Sequence, residues 1–334
     1  MENRLYRDIT VIGGAGFVGS RLSKRLTRTG KDFTIFDAKL SQVFGGKTVI
    51  GDICNLADYE ALPKSDVLIN LAAVHRDDVR PLSRYDDVNV GGSEVICNYA
   101  RQAGITKIIF TSSVAIYGFA PADTGEEGEP NYFNDYGRTK YLAEQVHKKW
   151  QAEDPENRSL LIIRPTVIFG EGNRGNVCNL FTQIARKRFL MFGNGKNRKS
   201  MAYVENVVAF LEYSLDFPPG LHIYNYVDKP DLDMNTLVST ARKALFGKAN
   251  VGIRLPKFVG VGIGYLADGI AKITGKSLPV SSIRVKKFLG TTQFGSSVHQ
   301  AGFVAPVKLE DAIEQTLRYE FIEDNSDQPE FLTE

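Results

Sequence analysis

The sequence predicts an α/β fold: a doubly wound parallel sheet covered by helices on both faces, followed by a smaller C-terminal lobe. Three observations predict it. Short β-rich runs alternate with helical patterns through the first half of the chain, the β runs are almost continuously apolar, and a glycine-rich turn joins the first run to the first helix. A strand buried on both faces has no polar side to show, so it lacks the strict alternation of a half-exposed strand.

In chain order, the first strand is expected at Ile9–Ile12, and the turn after it opens a helix over Phe17–Arg28. Strands follow at Phe33–Phe36, Thr48–Ile50 and Val67–Leu71, then a helix at Val90–Gln102, a strand at Lys107–Thr111, a helix at Tyr136–Gln151 and a strand at Leu160–Ile163. After Arg164-Pro165 the pattern changes to Gly/Asn-rich loops, Gly170–Asn176 and Gly193–Asn197, between helical stretches near Asn179–Lys187 and Val204–Leu215. Such loops sit over a site and carry specificity, while the alternating unit is the scaffold.

The 334 residues are 43% apolar with a net charge of +2, which describes a soluble globular protein and argues against a strongly basic nucleic-acid binder. The balance conceals a polarity: Lys248–Lys287 carries a local +7 and Phe288–Glu334 a local −7. Cys54, Cys97 and Cys178 are too few and too widely spaced for a zinc site or a disulfide framework. They are expected to be buried thiols of a reducing compartment, and no metal is expected. The polar start, Met1–Asp8, shows no signal-peptide pattern, and the apolar run Phe258–Ala267 is too short to span a bilayer.

Glycines 13, 16 and 19 give the spacing GxxGxxG between a strand and a helix. The first allows a tight turn, the second lets the backbone approach a pyrophosphate, and the third lets the helix pack closely; Phe17 and Val18 supply first-turn N–H groups. Asp37, at the end of the second strand, is placed to accept from ribose hydroxyls and to repel a 2′-phosphate, favouring NAD over NADP, although Lys39 stands nearby. Asp52 and Ile53 are candidates for the adenine edge; Asp52 could equally cap the helix that follows.

Thr111-Ser112-Ser113 ends the fifth strand, and Tyr136 and Lys140 lie four apart at the start of a helix. A tyrosine hydroxyl titrates near 10, so it acts as a base at neutral pH only if a cation lowers it, and Lys140, helped by the positive nicotinamide ring, is expected to supply that charge.

These residues, with Asn70-Leu71-Ala72-Ala73, Val88-Asn89-Val90, Thr111–Gly118, Tyr136–Lys140 and Arg164-Pro165-Thr166, resemble the extended short-chain dehydrogenase/reductases of the nucleotide-sugar epimerase/dehydratase family. The second half, through Asn173–Val177, Lys199–Val204 and Ser281–Phe288, is similar to bacterial N-acetylglucosamine 4-epimerases of surface-polysaccharide (O-antigen) assembly, whose substrate is UDP-linked or carried on undecaprenyl diphosphate. The resemblance implies a Rossmann NAD domain over residues 1–168, rejoined by 204–226, a substrate lobe from 169–203 and 227–325, and a frayed tail at 326–334. It implies Ser113, Tyr136 and Lys140 as catalytic, with Ser112 and Thr111 one and two positions too early. It adds Leu71, Ala72, Ala73, Asn89 and Pro165 to the NAD site, and Asn176, Arg198, Lys199 and Tyr203 as candidates for the sugar diphosphate. The family's usual arginine aligns with Lys199, leaving open which of Arg198 and Lys199 holds phosphate.

A 4,6-dehydratase of this family has Asp-Glu directly after the catalytic Ser/Thr, whereas Val114 and Ala115 stand here, so epimerisation at C4 is the expected reaction. A soluble UDP-sugar 4-epimerase, a keto reductase and a non-catalytic NAD-sensing scaffold are the alternatives. Leu255–Ile273 is apolar on several faces beside lysines, and reads either as a buried helix or, with the basic charge of 255–287, as a peripheral contact with the inner face of the plasma membrane from the cytoplasm. The helices Val90–Gln102 and Tyr136–Gln151 match those that pair in family homodimers.

Overall fold

The computed structural model describes residues 8–76, 79–274, 285 and 289–332. Six strands, β1 (Asp8–Ile12), β2 (Asp32–Asp37), β3 (Thr48–Ile50), β4 (Val67–Asn70), β5 (Lys107–Thr111) and β6 (Ser159–Pro165), form one sheet with the edge strand Gly220–Tyr226. The order is edge strand, β6, β5, β4, β1, β2, β3, and every neighbouring pair is parallel. The direction of winding reverses between β1 and β4, which opens a crevice at the carboxyl ends of those strands.

The apolar runs are explained by burial on both faces. Val11, Ile35, Ile69, Ile109 and Ile163 enter one core, while their neighbours Ile12, Phe36, Leu68, Ile108 and Ile162 enter the other. Helix α1 (Phe17–Arg28) has the expected bounds and packs on the helix Val204–Tyr213. The helix expected to start at Val90 has a longer history: a turn of helix, α2 (Ser83–Tyr85), continues through a π-turn at Asp86–Gly91 into α3 (Gly92–Ala103). Gly91 and Gly92 are poor helix formers and hide this continuity in the sequence. Helix α4 (Asp135–Ala152) begins at Asn134, whose side chain accepts from the Gly137 N–H at 2.9 Å.

Two expectations are corrected, and a third reading is refined. The tail is tied down as far as it is described: Phe331–Leu332 pairs with Asn173–Arg174, Arg174 bonds Glu330 at 2.6 Å, and the Phe331 ring meets Phe17 at 5.9 Å. Its polar composition conceals these partners, which lie far away in sequence. Of the thiols, only Cys97 is buried; Cys178 is half-buried and Cys54 exposed. The apolar helix Lys257–Thr274 is neither wholly buried nor wholly free. Gly260 sits so close to Phe192 that an added Cβ would lie 2.8 Å from the ring, while Phe258, Ile263, Tyr265 and Leu266 are exposed. Residues 275–284 and 286–288, which hold most of the basic Ser281–Phe288 stretch, lie outside the described residues, as do 333 and 334. Among the described residues no helix is long and apolar enough to cross a membrane.

Candidate active site

The glycine loop closes over the end of β4. Gly13 has φ +76°, and a Cβ there would stand 2.6 Å from the Ala72 nitrogen; a Cβ on Gly19 would stand 2.5 Å from the Gly14 Cα. Gly16 differs, because it is exposed and its added Cβ would meet only the Gly13 carbonyl oxygen, at 3.5 Å. Helix α1 starts at Gly16 with no side-chain cap and no acid in its first turn. Its first N–H groups, those of Phe17 and Val18 among them, and the positive end of its dipole are therefore left for an anion. Asp37 ends β2 beside this loop, its Oδ2 accepting from the Ala15 N–H and its Oδ1 from the Lys39 N–H, both at 3.0 Å.

The far wall is built from the end of β4. Asn70 Oδ1 accepts from the Ala72 N–H at 3.1 Å, turning the half-buried Leu71, Ala72 and Ala73 along the crevice. Buried Asn89, inside the π-turn, accepts from the Val74 N–H (2.8 Å) and donates to the Val74 carbonyl (3.0 Å) and Thr139 Oγ1 (2.9 Å). It thus pins this wall to α4. Asp52 accepts from the Cys54 N–H at 2.9 Å, and Asn55, not Asp52, caps the 3-10 turn Leu56–Ala61. Ile53 packs against Gly92, and Pro165 closes β6 as a buried residue. An open glycine at an uncapped helix start, beside a carboxylate placed for ribose, suits a dinucleotide pyrophosphate and adenosine.

The hydroxyl cluster at the end of β5 divides by direction. Ser113 Oγ accepts from the Ala115 N–H at 3.1 Å, and its hydroxyl lies close enough to Tyr136 on α4 to favour the ionised tyrosine. Ser112 turns the other way and donates to Glu144 at 2.6 Å, and Thr111 Oγ1 is buried with no hydrogen-bond partner among the described residues. Lys140 is buried with its Nζ 4.4 Å from the Phe110 ring centroid, and burial lowers it to about 7 against the opposing pull of Glu144. Burial raises the Tyr136 hydroxyl, and the group that draws it back down is Ser113. Desolvation also weakens the hold of Lys140 on its own proton.

His75, which sequence reasoning missed, brings its exposed imidazole to 6.4 Å from the Tyr136 ring. Its position directly after the Asn70–Val74 wall was the available signal. Among the diphosphate candidates, Asn176 is exposed at the start of the helix Asn176–Ala185. Arg198 and Lys199 pair with Leu232–Asp233 and behave differently: exposed Arg198 donates to the Asp231 carbonyl (3.3 Å), whereas half-buried Lys199 donates to the Gly290 carbonyl (2.6 Å) and is lowered to about 8 by burial. Tyr203 turns toward the helix layer. Its buried hydroxyl bonds Glu171 at 2.7 Å, and Glu171 pairs with Arg21 on α1 at 3.5 Å, so it ties the lobe to the helix layer.

Residues 9–225 match the model of the NAD dependent epimerase/dehydratase family. The chain belongs to this family. It is 46% identical, over 98% of its own length and 99% of the relative's, to the N-acetyl-alpha-D-glucosaminyl-diphospho-ditrans,octacis-undecaprenol 4-epimerase of Escherichia coli O157:H7. It is 27% identical to the UDP-glucose 4-epimerase of Vibrio cholerae over 65% of this chain and 69% of that one. Among solved structures, the UDP-glucose 4-epimerase of Thermotoga maritima with UDP-glucose has the same fold, with TM-score 0.72 and 21% identity, covering 93% of this chain and 98% of that one.

As a member of this epimerase family, the enzyme is NAD-dependent, and the uncapped start of α1 and the carboxylate at the end of β2 are chemically suited to that cofactor. Neither residue after Ser113 is acidic, and Val114 instead opens a 3-10 turn that orients Ser113. No second acid/base pair for dehydration stands there.

Proposed function

We propose that this chain interconverts the gluco and galacto configurations at C4 of an N-acetylhexosamine carried on undecaprenyl diphosphate. The observation that carries this reading is the 46% identity sustained through the substrate lobe to both ends, with Ser113, Tyr136 and Lys140 in place. Tyr136 takes the proton of the C4 hydroxyl while Ser113 hydrogen-bonds the same oxygen, and Lys140 binds the nicotinamide ribose from the same helix face. NAD, when bound, accepts the hydride from C4 and returns it. The 4-keto sugar turns between the two transfers, and Tyr136 then gives its proton back to the oxygen from the other orientation. A turning ring needs its anchor elsewhere, and Lys199, the more enclosed of the two neighbouring cations, holds the diphosphate.

The carrier explains the helix Lys257–Thr274. Its inner face rests near Phe192, and its outer face presents Phe258, Ile263, Tyr265 and Leu266 with exposed Lys257 and Lys272. Apolar side chains combined with lysines, each worth about 1 kcal/mol near an anionic surface, suit reversible docking on the inner face of the plasma membrane, where a polyprenyl substrate resides. The enzyme works from the cytoplasm as a homodimer paired through α3 and α4.

Purified enzyme given N-acetylglucosaminyl-diphosphoundecaprenol and UDP-N-acetylglucosamine in parallel tests the reading through the C4 configuration of each product. Conversion of the lipid-linked sugar with little or none of the UDP sugar is expected. Conversion of the UDP sugar alone would overturn the choice of carrier, and conversion of neither would overturn the activity.

A further inference from the structure

We propose that Ser112 and Glu144 form a joint that sets the distance between Ser113, just after β5, and Tyr136 on α4, making both of them positioning residues for the C4 chemistry on which this inference rests. Ser113 and Tyr136 must reach one substrate oxygen together, yet they come from different elements, a strand end and a helix. The direct side-chain bond between those elements on the opposite side is Ser112 Oγ to Glu144 Oε1, at 2.6 Å. Tyr136, Lys140 and Glu144 are spaced four apart along one face of α4, so a slide or roll of the helix that displaced Tyr136 would also break the Glu144 contact.

The joint is held stiff from a third element. Arg164, on β6 beside β5, grips the carboxylate with both ends of its guanidinium: Nε to Oε1 at 2.9 Å and Nη2 to Oε2 at 2.7 Å. Its other amino group donates to the Tyr117 hydroxyl (2.7 Å) and the Glu126 carbonyl (2.9 Å). Tyr117 lies in the turn that follows Ser113 and donates in turn to Asn225 on the edge strand at 2.9 Å. Ser112, Glu144 and Arg164 are 2%, 0% and 4% exposed, so water does not compete for these bonds. A buried ion pair is often no more stabilising than apolar packing of the same volume, and its retention here is accounted for by fixed geometry. A displacement of about 1 Å at a reacting centre is enough for a loss on the order of 100-fold in rate.

The test compares Ser112→Ala, which deletes the joint but leaves the Arg164–Glu144 pair, with Ser112→Thr, which keeps the hydroxyl. Steady-state turnover is measured with bound NAD content and thermal midpoint alongside, and the Tyr136 ring resonance, assigned by its disappearance in Tyr136→Phe, is titrated without substrate. Ser112→Ala should lose about 10- to 100-fold in kcat with KM within about twofold and NAD content unchanged, and its Tyr136 midpoint should rise as the Ser113 contact loosens. Ser112→Thr should recover most of the rate. A kcat within about twofold of the parent enzyme, a rate loss that only follows lost NAD or unfolding, or an unmoved Tyr136 midpoint would each overturn the joint. The substrate-free titration separates this inference from the reaction: a moved midpoint in a protein that turns over neither sugar upholds the joint and rejects the activity. If Ser112→Ala does not fold, Glu144→Gln, which retains an acceptor for Ser112, should preserve kcat better than Glu144→Ala; equal losses would overturn the joint.

Discussion

Adding one methyl group at Gly13, Gly16 or Gly30 should have three different consequences, and the differences isolate what each glycine does. Gly30 has φ +70° and nothing within 4 Å of an added Cβ, so Gly30→Ala carries only the left-handed backbone penalty, about 1–2 kcal/mol. Gly13 has nearly the same backbone, φ +76°, but its Cβ would lie 2.6 Å and 2.8 Å from the nitrogen and Cα of Ala72. Those are backbone atoms at the end of a central strand and cannot swing aside, so overpacking adds about 1–3 kcal/mol. Gly13→Ala should therefore be destabilised by roughly 2–5 kcal/mol, a large part of the 5–15 kcal/mol of an ordinary fold. Gly16→Ala meets only an ordinary contact at 3.5 Å and should fold like the parent, yet its methyl stands on the open side of the helix start, where a pyrophosphate approaches. Denaturant midpoints and NAD affinity by calorimetry read the two effects separately. If Gly13→Ala is no less stable than Gly30→Ala, or Gly16→Ala binds NAD as the parent does, the assignment of the loop is wrong.

Three further outcomes follow from other residues. His147 is fully buried against Phe110 and lowered to about 4 by burial, below its ordinary 6.5, so the fold binds fewer protons than the unfolded chain between those values and loses stability as the pH falls through them. In His147→Phe the stability difference from the parent should shift by about 2 kcal/mol in favour of the variant between pH 7.5 and 5, measured by denaturation; a difference flat over that range contradicts the burial argument. Lys199, lowered to about 8, should lose its charge as the pH rises through that value, so KM for the diphosphate substrate climbs above pH 8 in the parent but not in Lys199→Arg. Lys199→Met should raise KM roughly 10- to 100-fold below pH 8, the equivalent of about 1.5–3 kcal/mol for a hydrogen bond to a charged group, with kcat less affected and the difference narrowing above that pH; an unchanged KM removes Lys199 from the site. Sedimentation with anionic liposomes should fall at least about tenfold in Phe258→Ser/Leu266→Ser, since each side chain contributes about 1.5–3 kcal/mol when fully buried in an apolar phase; undiminished binding would mean another face docks.

The sheet was legible because its central strands advertise two buried faces, as in Ile108-Ile109-Phe110 and Leu161-Ile162-Ile163, and because α1 follows a glycine and carries its apolar stripe without interruption. The proposed reacting group was legible for a related reason: Tyr136 and Lys140 share one helix, so a spacing of four places them on one face. What escaped the sequence depends on contacts between distant segments. Whether Tyr203 points to substrate or to Glu171 is decided by where α1 brings Arg21, and the direction of Ser112 by where α4 and β6 bring Glu144 and Arg164. The state of Lys140 also escaped, since spacing reveals a neighbouring cation but not the burial that lowers it toward neutrality.

The most direct measurement of the central claim is the fate of C4 in Tyr136→Phe, a change that removes one hydroxyl and leaves the ring. The account predicts that the variant folds, keeps NAD at the parent level and leaves the C4 configuration of its sugar substrate unchanged over times in which the parent reaches equilibrium. Inversion at C4 by Tyr136→Phe at a rate near that of the parent would contradict it.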